Sequence, residues 1–74
     1  MNMPSKQAIR RMRLARERMD QANSEHLAFT YRLGRSYSSE ERAENTRLLR
    51  TLSLSIADYF EAIEQAAEQV DPVQ

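Results

Sequence analysis

The 74-residue chain contains no cysteine and no tryptophan, one histidine, one glycine and two prolines. Without cysteine it forms no disulfide and no thiolate metal site, and one histidine alone cannot hold a structural metal ion. The sequence also lacks a glycine-rich phosphate loop, a nucleophile beside a base and a cluster of metal ligands. These absences predict a protein that is not an enzyme and needs no cofactor.

Long apolar runs are also missing from the sequence. No stretch approaches the ~20 apolar residues that a membrane-spanning helix needs, and the first residues lack the apolar segment of a secretory signal. We therefore expect a cytoplasmic protein without a membrane partner. All but one of the basic residues are arginine, a bias typical of GC-rich genomes, from which we expect a bacterial or phage protein.

The chain does contain two long segments of helical character, separated by a short break that holds Gly34. Glycine is common just after a helix C-terminus, and Ser38 and Glu41 have the spacing of a capping box that begins a helix. Because short connections favour antiparallel neighbours, we predict an all-α helical hairpin. The expected single domain covers residues 1–74, with a helix over about 4–33, a turn at 34–38 and a helix over about 39–70.

Seam residues recur along each segment at alternating spacings of three and four, the pattern of helices that pack as a coiled coil. The first seam comprises Ala8, Met12, Ala15, Met19, Ala22, His26, Phe29 and Leu33. The second comprises Asn45, Leu49, Leu52, Ile56, Tyr59, Ile63, Ala66 and Val70. A fold about residues 36–37 sets large residues opposite small ones, with Ala22 near Leu52, Ala15 near Tyr59 and Met12 near Ile63.

The second segment carries more apolar surface than one neighbouring helix can cover, because Leu48, Phe60, Ala62 and Ala67 flank its seam. A chain of this length is also marginal as an isolated domain. We therefore expect a homodimer that forms a four-helix bundle, with Phe60 joining the seam residues in the hairpin or dimer core. A monomeric hairpin that offers this strip to another protein is the alternative, and the dimer topology stays open.

His26 interrupts the first seam with a polar side chain. A pH switch or a catalytic base is one interpretation, but no carboxylate or nucleophile accompanies His26 on the same face at short range. We favour a seam residue that fixes the register, as a buried asparagine does in coiled coils. Asn45 is a second polar seam residue within about a turn of His26 across the hairpin.

The net charge is zero, but the charges are segregated along the chain. Basic residues predominate over residues 1–35, and acidic residues predominate over residues 36–74. In an antiparallel hairpin the basic start of the first helix faces the acidic end of the second, so we expect arginines there to pair with acids. Arg11, Arg16 and Arg18 flank the seam, whereas Lys6, Arg10 and Arg13 point further outward.

Two groups of residues outside the seams are candidates for binding a partner. The outward basic group is one, and an apolar and aromatic group near the break is the other. Together they give the predicted partner-binding residues Lys6, Arg10, Arg13, Leu27, Tyr31 and Tyr37. For the second group, a small satellite core over the loop is an equal alternative.

These features predict a small non-enzymatic adaptor or inhibitor that captures a larger bacterial regulator or enzyme by protein–protein contact; inhibition and scaffolding both stay open. In its hairpin plan the chain resembles the Rop family, whose short hairpins pair into four-helix bundles and bind paired RNA loops. The resemblance covers the plan alone and carries over no binding residue. It implies, as the alternative, a nucleic-acid-binding regulator with phosphate contacts from Lys6, Arg10, Arg11 and Arg13. The zero net charge and the acidic second helix weigh against it.

Overall fold

The structure, a computed structural model, describes residues 5–33 and 38–68. It contains helix α1, Lys6–Arg32, and helix α2, Ser39–Glu68, which pack against each other along their lengths. The prediction of an all-helical hairpin is therefore confirmed for the described residues. The predictions made for Pro4, for Gly34 and for Val70 lie outside them.

Both helices begin at a serine that caps the first turn. The Oγ of Ser5 accepts a hydrogen bond from the Ala8 amide at 3.1 Å. At the start of α2, the Ser38 Oγ accepts from the Glu41 amide at 3.1 Å, and the Ser38 amide donates to the Glu41 carboxylate at 2.9 Å. The predicted capping box is thereby confirmed, and both caps satisfy amides that have no partner inside the helix.

Polar side-chain contacts between the helices indicate their antiparallel register. The Nη2 of Arg11 lies 3.2 Å from Oδ1 of Asp58, and the Nε2 of His26 lies 3.1 Å from Oδ1 of Asn45. The residue numbers in these two contacts sum to 69 and 71, and those in the contacts of Arg11 with Glu61 and Gln65 sum to 72 and 76, so facing residues have numbers that sum to a little over 70. The predicted pairing of Ala15 with Tyr59 lies within this range and stays a prediction.

The core is a single line of contact between the helices. Its buried residues are Ala8, Ala15, Ala22 and Phe29 of α1 with Leu48, Ala62 and Ala66 of α2. The α1 residues are one row of the predicted seam, and Met12, Met19, His26 and Leu33 lie half-buried beside them. Five of these seven buried residues are alanines, whose small side chains let the helix axes approach closely.

The α2 seam differs from the predicted one. Leu48 is 5% exposed, whereas Leu49, which was predicted for the seam, is 42% exposed. The line that faces α1 is Asn45, Leu48, Leu52, Ser55, Tyr59, Ala62 and Ala66, again at spacings of three and four. Leu49 lies outside the hairpin seam because α2 turns its smaller residues, Ser55 and Ala62, toward the alanines of α1. Ile56 and Ile63 are half-buried at the edge of the contact.

Candidate interaction surfaces

The hairpin has two broad faces, one on each side of the helix–helix contact, and the first is apolar. Here Ile9, Met12 and Arg16 line an open groove with Tyr59, which shows that this side of α1 meets α2. The ring centroid of Phe60 lies 6.4 Å from that of Tyr59, and Phe60 is 60% exposed. We call this surface the apolar face; its large side chains are Ile9, Met12, Met19, Leu49, Ile56, Phe60 and Ile63.

The apolar face carries little charge. Its α1 rows are Ile9, Met12, Arg16, Met19, Asn23, His26, Thr30 and Leu33. Its α2 rows are Ser39, Arg42, Thr46, Leu49, Ser53, Ile56, Phe60, Ile63 and Ala67. Among these described residues the charged ones are Arg16 and Arg42. An apolar surface of this extent, which holds four of the predicted core residues of α2, lacks a partner within the single hairpin.

The opposite face, which we call the charged face, is rich in ionic residues. It presents Arg11, Arg18, Glu25 and Arg32 of α1 and Glu44, Arg47, Asp58 and Glu61 of α2. Open grooves on this side are lined by Arg18 with Leu54 and Asp58, and by Glu25 with Arg47. The exposed Leu14 also belongs to this face. The two faces of the hairpin therefore differ sharply in charge.

Arg11 is the basic residue that joins the helices. Its guanidinium lies 3.2 Å from the Asp58 carboxylate and 4.0 Å from that of Glu61, and it also donates to the side-chain oxygen of Gln65. The predicted pairing of arginines with acids is thus confirmed at Arg11. Within the described residues Arg16 and Arg18 form no ion pair and lie exposed. Arg11 is therefore engaged with α2 and does not face outward with Lys6, Arg10 and Arg13.

A second ion pair lies on α2 near its start. The Nε and Nη2 of Arg47 donate to the two carboxylate oxygens of Glu44. This hydrogen bonding lowers the pKa of Glu44 below the ordinary glutamate value, with smaller help from the charges of Arg47 and Arg32. Since the folded-state pKa is lowered, the pair stabilises the fold above the ordinary pKa and loses its effect as the pH falls through the lowered value.

The residues on the side of α1 that faces away from α2 are all exposed, and we call them the outer row. Its residues are Lys6, Arg10, Arg13, Glu17, Asp20, Ser24, Leu27 and Tyr31, at spacings of four and three. Every predicted partner-binding residue that the structure describes belongs to this row; Tyr37 lies outside the described residues. The alternating spacing of these residues in the sequence is the signal that places both groups in a common row.

The outer row has a different chemistry at each end. Lys6, Arg10 and Arg13 form a basic group around the edge of Ile9. Leu27 is 46% exposed and Tyr31 is 86% exposed, so neither is covered by a satellite core of described residues. About 14 residues separate the two groups, which corresponds to ~21 Å along the helix. The structure aligns them on one side of α1 but does not bring them together.

His26 and Asn45 form the polar contact within the seam. Both side chains are half-buried, and their hydrogen bond spans the two helices. Within the described residues, no buried side-chain nitrogen or oxygen lacks a hydrogen-bond partner. The contact agrees with a role for His26 in register, because a shift of α2 by one residue would separate the two groups.

Residues 5–33 and 38–68 contain no group of three or more His, Cys, Asp or Glu side chains that could hold a metal ion. Neither α1 nor α2 is long and apolar enough to cross a membrane. No protein-family model, curated protein or solved structure matches the chain. The two faces and the outer row are the candidate interaction surfaces of the described residues.

Proposed function

We propose that the hairpin is a small non-enzymatic interaction protein that pairs with a second copy through its apolar face and captures a larger protein through the outer row of α1. One observation carries this proposal: the apolar and ionic side chains of the hairpin are separated onto opposite faces. On the charged face, Arg11 and Arg47 form ion pairs with acidic residues of α2. The apolar face has no such internal partner.

The size of the apolar face suits self-association. α1 has 27 residues and α2 has 30, so the face is about 40 Å long at 1.5 Å per residue. It is two helices wide, and packed helix axes lie about 10 Å apart. The resulting ~800 Å² per copy matches the usual area of a stable interface. A second copy would complete a four-helix bundle around Phe60 and Ile63.

The outer row suits a target with two features. The cationic charges of Arg10 and Arg13 select an acidic patch, since charge complementarity sets partner choice and association rate. The exposed Leu27 and Tyr31 fit an apolar pocket about 20 Å away along the target surface. A tyrosine that is 86% exposed gains much contact area when it is covered. We infer an adaptor or inhibitor that works by contact alone.

A nucleic-acid-binding role is the second candidate. It is favoured by one observation: Lys6, Arg10 and Arg13 are exposed together and form no ion pair with other described residues. Phosphate groups are natural ligands for such a cluster. Glu17 and Asp20 continue the same row and repel phosphates, and Arg11 is already paired. The protein target is therefore the better-supported proposal.

A pull-down from bacterial lysate, with and without nuclease, tests the proposal. The wild type is compared with Arg10→Glu/Arg13→Glu and with Arg18→Glu/Arg32→Glu, which makes the same charge change on the charged face. We expect one discrete protein that stays bound after nuclease treatment. The wild type and the control variant Arg18→Glu/Arg32→Glu should retain it, and Arg10→Glu/Arg13→Glu should not. Material that disappears with nuclease would favour the nucleic-acid role. Equal retention of the bound protein by the wild type and both variants would exclude the outer row as the binding surface.

A further inference from the structure

The register of the hairpin also determines how two copies can pair, given the self-association proposed above. When two apolar faces meet around a twofold axis, two arrangements exist. If the axis runs along the helices, corresponding ends lie together and α1 packs beside α2 of the second copy. If the axis runs across the helices, opposite ends lie together and α1 packs beside α1. The side chains at the rim of the face distinguish these arrangements.

One row on each helix borders the apolar face on its outer side, and we call these the rim rows. The α1 rim row is Lys6, Arg13, Asp20 and Leu27, and the α2 rim row is Ala43, Arg50, Ala57 and Glu64. Both rows have heptad spacing, and all eight residues are exposed. Neither Asp20 nor Arg50 forms an ion pair with a described residue of its own chain. Both charges are therefore available to a second copy.

With corresponding ends together, the axial register inside one hairpin also holds between the copies. Facing residues again have numbers that sum to a little over 70. Lys6 then lies within about one turn of Glu64 of the second copy, and Asp20 within about one turn of Arg50 of the second copy, distances that these long side chains span. The uncharged rim residues also match, because Leu27 lies within about one turn of the level of Ala43. Each rim charge therefore meets an opposite charge or a neutral residue.

With opposite ends together, the same rim rows conflict. The middle of α1 lies near residues 19–20, so the twofold axis of two fully overlapped copies passes beside Asp20. Each Asp20 then faces Asp20 of the second copy, and each Arg50 lies within about two turns of Arg50 of the second copy along the same rim. Like charges in direct opposition cost free energy and disfavour a wrong pairing.

We propose that two copies pair with corresponding ends together, in a bundle where every neighbouring helix is antiparallel and the rim ion pairs are Lys6–Glu64 and Asp20–Arg50. This inference rests on the proposed self-association. The arrangement directs the two outer rows to opposite sides of the bundle. It places Lys6 and Leu27 at the rim but leaves Arg10, Arg13 and Tyr31 free, so the dimer offers two equivalent surfaces to targets.

Charge reversal at the rim provides one test. Asp20→Arg and Arg50→Asp should each raise the dimer dissociation constant by about three- to ten-fold, since each removes two symmetric rim pairs. The double variant should return the constant toward the wild-type value. With opposite ends together, each single change replaces one like-charge pair by another. Single variants that associate as tightly as wild type would therefore overturn the proposed arrangement.

Spin-label distances provide the direct test, because the cysteine-free chain accepts a single label at any exposed site. Gln7→Cys and Gln21→Cys lie two heptads apart in one exposed row of the charged face, away from the dimer contact. With corresponding ends together, the two sites should give intermolecular distances that agree within a few Å. With opposite ends together, the Gln7 labels separate by about 40 Å along the axis and the Gln21 labels by about 3 Å. A much longer Gln7 distance would overturn the topology alone, whereas no dipolar coupling at either site would overturn self-association itself.

Discussion

Alanine residues set the closeness of the two helices. Ala15 is 2% exposed and Ala62 is 1% exposed, so neither position has space for a longer side chain. The buried set holds two large side chains among the described residues, Phe29 and Leu48. The hairpin thus depends on close approach of backbones more than on a bulky core, and dispersion contacts along the line of alanines supply much of its cohesion.

Replacement of Ala15 by leucine should overpack this contact. We expect Ala15→Leu to lower the free energy of unfolding by about 1–3 kcal/mol, because three added carbon atoms must displace α2. Urea denaturation followed by circular dichroism measures the change. Ala28→Leu on the exposed side of the same helix is the matched control and should leave the midpoint nearly unchanged. Equal midpoints for the two variants would contradict the assigned contact.

Substitutions of His26 and Asn45 should have coupled effects on the free energy of unfolding, because their side chains share a hydrogen bond. His26→Leu leaves the half-buried amide of Asn45 without its partner, and we expect a loss of about 1 kcal/mol. Adding Asn45→Leu removes the unsatisfied group and should recover most of that loss. A double-mutant cycle in urea measures the coupling. Strictly additive single effects would show that the contact does not stabilise the hairpin.

At the scale of the helix, α2 is an element with two competing seams. Both pass through Leu52, Tyr59 and Ala66. The observed seam adds Leu48, Ser55 and Ala62, whereas the predicted seam adds Leu49, Ile56 and Ile63. The observed hairpin buries the row with the small residues Ser55 and Ala62. The row that begins with Leu49 is left at the edge and becomes part of the apolar face.

Leu48 and Leu49 therefore offer a matched pair of substitutions. We expect Leu48→Ala to lower the free energy of unfolding by about 2–4 kcal/mol, since it leaves a cavity between the helices. Leu49→Ala should perturb the hairpin much less and act mainly by weakening association. Denaturation at several protein concentrations separates the two effects. A larger effect of Leu49→Ala on the hairpin itself would restore the seam that the sequence suggested.

Much of the secondary structure could be predicted because its signals are local. The Ser38–Glu41 capping box marked the start of α2, and the alternating spacing of Ala8 and its successors marked the seam of α1. The rotation of α2 could not be predicted in this way, because adjacent leucines satisfy both seams and the choice depends on how closely the backbones approach. The register depends on particular contacts such as that between Arg11 and Asp58, which the sequence predicts only as a general attraction between basic and acidic residues.

The sequence predicts individual residues of the outer row as exposed, but it does not predict that they form one surface. The outward position of Lys6, Arg10 and Arg13 followed from the seam, and the exposed Leu27 and Tyr31 were recognised separately. Their alignment becomes clear once the burial of each position is known along the whole of α1. The identity of a target is not encoded in this pattern, because charge and apolarity specify a chemical class of surface and many proteins present it.

At the scale of the whole molecule, the proposed self-association depends on the contrast between the apolar face and the charged face. A single hairpin leaves Phe60 60% exposed and Leu49 42% exposed on the apolar face. Burial of such side chains contributes about 25 cal/mol per Å² of apolar area. Two copies face to face would cover both residues and would leave the charged faces in water, together with Arg10, Arg13 and Tyr31 of each outer row.

Sedimentation equilibrium of wild type, Phe60→Glu and Leu54→Glu tests this central claim most directly. The two substituted residues are similarly exposed in the hairpin, 60% and 66%, but Phe60 lies on the apolar face and Leu54 on the charged face. We predict a dimer for wild type and for Leu54→Glu, and a monomer that keeps its helical content for Phe60→Glu. A monomeric wild type, or a Phe60→Glu variant that still dimerises, would contradict the account.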